Sequence, residues 1–97
     1  MDYIFQVNDK SDRKVHLSKE RWMHITNRHT NMADKLEDIK KALIDPVLIV
    51  PHKYDNAMRN YYLFYKLKKD YLLVSVKYLN GGGFVATAFI TKKIIRR

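Results

Sequence analysis

Asp45-Pro46-Val47-Leu48-Ile49-Val50-Pro51 is where the chain changes its period, and that change decides the fold. Upstream of it, apolar residues recur at helical spacing; downstream, the spacing becomes that of strands. Asp45-Pro46 stops a helix, because a proline disfavours α backbone in the residue before it. The four apolar residues held between two prolines read as a buried strand.

Working upstream, Met32, Leu36, Ile39 and Leu43 lie on one face of a helix over about residues 32–44, with Asn31 as its cap and Asp34 in its first turn. An earlier helix starts after Ser18, a good N-cap, with Glu20 suited to the positive helix end. Leu17 and Trp22 hold the positions of a hydrophobic staple, and Trp22, Ile25 and His29 form the apolar stripe. Residues 27–31 are poor in strong helix formers and end it. Before it, residues 3–7 alternate as a short strand, 8–12 are turn-like, and 14–17 form a second short extended piece.

Working downstream, residues 54–58 are a loop, and 60–66 and 71–78 form a hairpin around 67–70. Asn80-Gly81-Gly82-Gly83 makes the next turn, residues 84–91 are the last strand, and 92–97 are a basic tail. Sequential strands joined by tight turns run antiparallel. The expected fold is therefore α+β: one domain over residues 1–97, with two N-terminal helices on a roughly four-stranded antiparallel sheet, in two layers.

With 97 residues, folding buries roughly 60–70% of the surface of the unfolded chain. The core is thin, and the expectation is that no cofactor is held. No cysteine is present, which excludes a disulfide framework and a thiolate zinc site. The first residues lack the basic and apolar regions of a signal peptide, and no apolar run approaches the roughly 18 residues of a membrane span. The expected setting is cytoplasmic, with no membrane partner.

The net charge of +9 is unevenly spread. Residues 1–55 carry ten Lys and Arg against nine Asp and Glu, and residues 56–97 carry nine against Asp70 alone. The C-terminal half therefore makes a field that attracts polyanions. The plain reading of the same charge is a solvated surface, and a face for an acidic protein partner is a third.

Arg21-Trp22-Met23-His24-Ile25-Thr26-Asn27-Arg28-His29 concentrates two imidazoles and two guanidiniums on one helix. Residues four apart lie about 40° apart around a helix and residues five apart about 140°. His24 and Arg28 thus share one face with Arg21 close by, while His29 lies on the sheet side. Two histidines so placed do not chelate one metal, and no metal site is expected. In the strands, Ser75 and Lys77 share a face, as do Thr87 and Thr91. The short turn brings Lys77 near Thr87. A cleft between the helix end and this hairpin would gather His29, Arg28, Lys77 and Thr87.

Those groups match metal-free RNA cleavage. Such cleavage needs a base for the 2′-hydroxyl, cations for the phosphorane and an acid for the 5′-oxygen. Histidine serves as base or acid near neutral pH, and arginine and lysine hold phosphate. Each residue also has a plain reading: His29 as a packed structural histidine, Arg21 and Arg28 as surface charge, Lys77 as edge protection. The Gly81-Gly82-Gly83 run lacks the Lys-Ser/Thr of a phosphate-binding loop.

The stretch from Leu17 to Thr91 resembles small phage and bacterial proteins of the barnase–EndoU–colicin–RelE nuclease superfamily. The matching pieces are residues 17–29, the helix ending in Asp45-Pro46, Tyr61-Tyr62, Val74-Ser75-Val76-Lys77 and Phe84-Val85-Ala86-Thr87-Ala88-Phe89. The resemblance implies a metal-independent endoribonuclease, as a toxin or phage effector. It assigns His24, Arg28 and His29 to the helical motif, Lys77 to the strand cation and Thr87 to the last-strand hydroxyl.

The expected activity is RNA cleavage giving a 2′,3′-cyclic phosphate, with either His29 or His24 as base and the other imidazole or Lys77 as acid. Arg21, Ser75, Thr91, Lys92 and Lys93 are the expected RNA-binding residues. RNA is the expected partner, with an acidic antitoxin or immunity protein as a second. The alternative is a non-catalytic nucleic-acid-binding or protein-interaction module on the same fold.

Overall fold

In the computed structural model, residues 3–94 are described; Met1, Asp2 and residues 95–97 of the basic tail lie outside them. The chain opens with a hairpin of β1 (Tyr3–Asn8) and β2 (Lys14–Ser18). Helix α1 (Lys19–Arg28) starts where the Ser18 hydroxyl accepts from the Arg21 N–H at 3.1 Å, the capping bond its sequence promised. Leu17 is fully buried, and Trp22 and Ile25 pack inward from the same helix. His29 is the C-cap with non-helical backbone.

Helix α2 (Leu36–Ile44) is shorter than its apolar stripe implied. A single 3₁₀ turn at Thr30–Met32 replaces the expected first turn, and Asn31 caps nothing. Met32 is still fully buried, because the tighter turn drops it into the core ahead of Leu36. The stripe recorded burial, not backbone. Among the described residues no helix is long and apolar enough to cross a membrane.

The remaining strands are β3 (Leu48–Pro51), β4 (Met58–Tyr65), β5 (Asp70–Leu79) and β6 (Gly82–Thr91). They pair antiparallel in sequence order, as the tight turns require. The sheet, however, has six strands in the order β1-β2-β6-β5-β4-β3 and is mixed, not four-stranded and antiparallel. β2 joins β6 in parallel through only Val15↔Gly83 and His16↔Phe84. That join is long-range and carries no turn signal. β3 is an edge strand, and its side chains are half-buried or exposed rather than buried. Pro51 suits that edge, where a missing N–H costs no ladder bond.

The apolar core lies between the helices and one sheet face. Leu72, Val74, Val76 and Tyr78 of β5 meet Ile39 and Leu43 of α2 and Ile25 of α1 there. One buried polar knot ties the first hairpin to the sheet. The Asp9 carboxylate, 5% exposed, accepts from Ser11 N–H at 2.9 Å, Ser11 Oγ at 2.7 Å, Arg13 N–H at 3.0 Å and Tyr61 O–H at 3.0 Å. The Tyr78 hydroxyl also bonds to it and to that of Tyr61. Burial pushes the Asp9 carboxyl up, and the bonds from Tyr78, Arg13, Ser11 and Tyr61 together bring it below its ordinary value. Burial and the bond to Asp9 push the Tyr78 phenol up.

Candidate functional site

Strand alternation sends Leu73, Ser75 and Lys77 to the sheet face away from the core. Register then sets Ser75 between Asn60 and Thr87, Leu73 between Tyr62 and Phe89, and Lys77 between Met58 and Phe84. A bulge at Ala86 separates the Lys77–Phe84 pair from the Ser75–Thr87 pair. Lys77 and Thr87 share a face as expected, but as diagonal neighbours.

A cleft of about 290 Å³ opens on this face. Asn60, Ser75 and Thr87 line it together with Leu73 and Phe89, and Pro51-His52-Lys53-Tyr54 covers one side. Asn60 and Ser75 are 9% and 6% exposed, and neither these two side chains nor that of Thr87 has a hydrogen-bond partner among the described residues. The cleft therefore presents an amide and two hydroxyls with bonding capacity unused.

The covering loop is pinned from below. The Lys77 ammonium pairs with the Asp55 carboxylate, the Tyr78 N–H donates to the Ala57 carbonyl at 2.8 Å, and the His52 N–H donates to the Met58 carbonyl at 3.0 Å. The bond from Lys77 holds the Asp55 carboxyl below its ordinary value. His52 Nδ1 accepts from the Tyr54 N–H at 3.2 Å, so the neutral ring carries its proton on Nε2.

Helix α1 runs alongside β6: Arg21 lies over the Phe84 ring at 5.8 Å, and His29 stacks on Phe89 at 5.5 Å. Phe89 separates His29 from the cleft floor. At the other end of the face, Tyr3 stacks on His16 at 4.0 Å and His16 leans on Phe84 at 6.2 Å. Tyr3, His16, Phe84 and Arg21 thus form a half-exposed row of rings ending in a guanidinium.

The anticipated residues divide accordingly. Ser75 and Thr87 line the cleft, and His29 reaches its aromatic wall. Lys77 points to the same face, but its ammonium is taken by Asp55. His24 and Arg28 are exposed on α1, and no contact joins them to the cleft. Thr91, Lys92 and Lys93 lie elsewhere. The Thr91 hydroxyl donates to the Lys93 carbonyl at 3.1 Å, and Lys92 reaches the Lys68 carbonyl at 3.4 Å beside the β4–β5 turn. His52, Lys53, Tyr54 and Asn60 are the cleft residues that sequence reasoning passed over. Their signal was a His-Lys-Tyr triplet directly after an edge-strand proline, in a connection free to fold over the sheet. Among the described residues no three of His, Asp and Glu converge to hold a metal ion.

No protein-family model, curated protein or solved structure matches this chain.

Proposed function

We propose that this protein is an RNA-binding endoribonuclease that works without a metal, and that the open-face cleft takes one phosphodiester. The observation that carries the reading is the donor set: the Asn60 amide and the Ser75 and Thr87 hydroxyls around one cleft that Lys53 also lines, its ammonium over the Tyr54 ring, in a chain of net charge +9. Such donors complement the non-bridging oxygens of a phosphate. His52 lines the same side of the cleft. The row from Tyr3 to Arg21 offers rings and a guanidinium on which neighbouring bases stack.

For cleavage, His29 is the base. Its ring nitrogens have no hydrogen-bond partner among the described residues, and it stacks on Phe89, which lines the cleft, so to reach the phosphodiester it swings past the edge of that ring. His29 takes the 2′-hydroxyl proton, the 2′-oxygen attacks phosphorus, and the P–O5′ bond breaks. The leaving oxygen takes a proton from water at the cleft mouth. The products are a 2′,3′-cyclic phosphate and a 5′-hydroxyl end. An antitoxin-like acidic partner would compete for the same basic face.

The test is to incubate the purified protein with RNA in excess chelator and map the new ends. Cyclic phosphate ends, lost when the scissile nucleotide is 2′-deoxy, support the enzyme. His29→Ala should slow cleavage at least ~100-fold, a usual loss for a general base, while leaving RNA affinity unchanged. One observation favours the second reading, a binding module: the occupied Nδ1 of His52 removes that ring as a base. Intact RNA after long incubation, with salt-sensitive binding retained, selects it.

A further inference from the structure

Away from the cleft, two guanidiniums meet on one ring. The Arg13 carbon lies 5.0 Å from the centre of the Tyr78 ring, and the Arg59 carbon lies 5.1 Å from the same centre. The two charges are therefore no more than about 10 Å apart. Among the described residues neither guanidinium has an ion-pair or hydrogen-bond partner for its side chain. Each guanidinium rests on the ring as a cation on a π face, which leaves its N–H groups able to bind an anion.

The convergence is built by the fold. Arg13 closes the β1–β2 turn, and its own N–H is fixed to Asp9; Arg59 stands on β4 at the Pro51 end of the edge strand. The Asp9 knot draws the two segments to Tyr78. The arrangement does not serve Asp9 itself, whose carboxylate is satisfied by Tyr61, Tyr78, Ser11 and the Arg13 backbone. Arg13 is exposed and Arg59 half-exposed, so both reach solvent.

The pair also stands next to the cleft in the chain. Arg59 precedes Asn60, which lines the cleft from the opposite face of β4. Lys77, which anchors the covering loop, precedes Tyr78, which carries the guanidiniums. Pro51, which lines the cleft, is the register partner of Arg59 across the short edge strand β3.

We infer that Arg13 and Arg59, held on Tyr78, form a phosphate clamp for the RNA backbone outside the cleft, engaging one phosphodiester or two consecutive ones. This rests on the reading of the cleft as a phosphodiester site. Guanidiniums suit the task because their planar forks hold phosphate oxygens in pairs.

The test measures the affinity of the full chain for a single-stranded RNA of about a dozen nucleotides across a salt series. A dinucleotide, which fills the cleft alone, is measured in parallel. Each phosphate contact contributes roughly 0.7 to the slope of log affinity against log salt for single strands. The double variant Arg13→Gln, Arg59→Gln should lower the slope for the long RNA by about 0.7 to 1.4 and leave dinucleotide affinity unchanged. Arg13→Lys with Arg59→Lys keeps the charge and should keep the slope, which also guards against a folding defect in the first variant. An unchanged slope in the Gln variant overturns the clamp, as does equal loss of dinucleotide affinity. Failure of the wild-type chain to bind the dinucleotide, with an Arg-dependent slope on the long RNA, overturns the cleft reading and leaves the clamp standing. No salt-sensitive binding of either RNA overturns both.

Discussion

Gly83 shows how a single missing carbon sets the sheet. A Cβ there would stand 2.9 Å from the Lys77 carbonyl oxygen and 2.9 Å from the Tyr78 ring. Gly83 also pairs with Val15 in the parallel join, so the strain would reach β2. Gly83→Ala should cost about 1–3 kcal/mol, the range for overpacking a filled site, read as a lower midpoint in denaturant with unchanged slope. Gly81 differs in kind: its φ of +88° sits in a turn with open space around it, so alanine there meets backbone strain and no clash. The sequence marks residues 80–83 as a turn, but only Asn80 and Gly81 turn the chain, and Gly82 and Gly83 already pair with β5 as the start of β6. The use of Gly83, letting β6 lie close to β5 at Tyr78, depends on neighbours that no local pattern reveals.

Among the elements, the loop 52–57 decides whether the cleft exists. It is a connection between strands whose shape comes from Asp55: one carboxylate oxygen accepts from the Ala57 N–H at 2.9 Å and the other binds Lys77. Asp55→Ala should release His52, Lys53 and Tyr54 from the cleft. The expected result is weaker dinucleotide binding, with the thermal midpoint close to wild type because the pair lies near the surface. Equal affinity in the variant would remove the loop from the site. Lys77 is a positioning residue in this account, and Lys77→Met should mimic Asp55→Ala. The strand carrying Lys77 was readable from its alternation, and so was its face. Its partner was not, because Asp55 reaches it from a loop with no period to read.

For the whole molecule, the Asp9 knot joins the first hairpin to the central strands, so it couples the two halves of the sheet. The carboxyl sits below its ordinary value in the folded chain and at about 3.9 when unfolded. The folded state therefore binds fewer protons between those two values. The stability Asp9 contributes is fully present above the unfolded value and is lost as pH falls through the folded one. Asp9→Asn should lower stability at neutral pH by about 1–3 kcal/mol, the cost of weakening a buried hydrogen-bonded charge, and flatten the acid limb below about pH 4. Urea midpoints across pH 2–7 check both; parallel curves for variant and wild type would count against the knot.

Local chemistry alone determined a good deal of this protein. The Ser18 cap, the Asp45-Pro46 stop, the order of two helices and then antiparallel strands, and the shared face of Ser75 and Lys77 all follow from backbone preferences within a few residues. Tertiary structure alone decided the parallel seam of β2 with β6, the edge position of β3, the loop that roofs the cleft, and the meeting of Arg13 with Arg59 on Tyr78. The physical reason is range. Capping, proline sterics and strand alternation act between near neighbours, whereas pairing across a sheet and charges converging on one ring exist only once distant segments have packed.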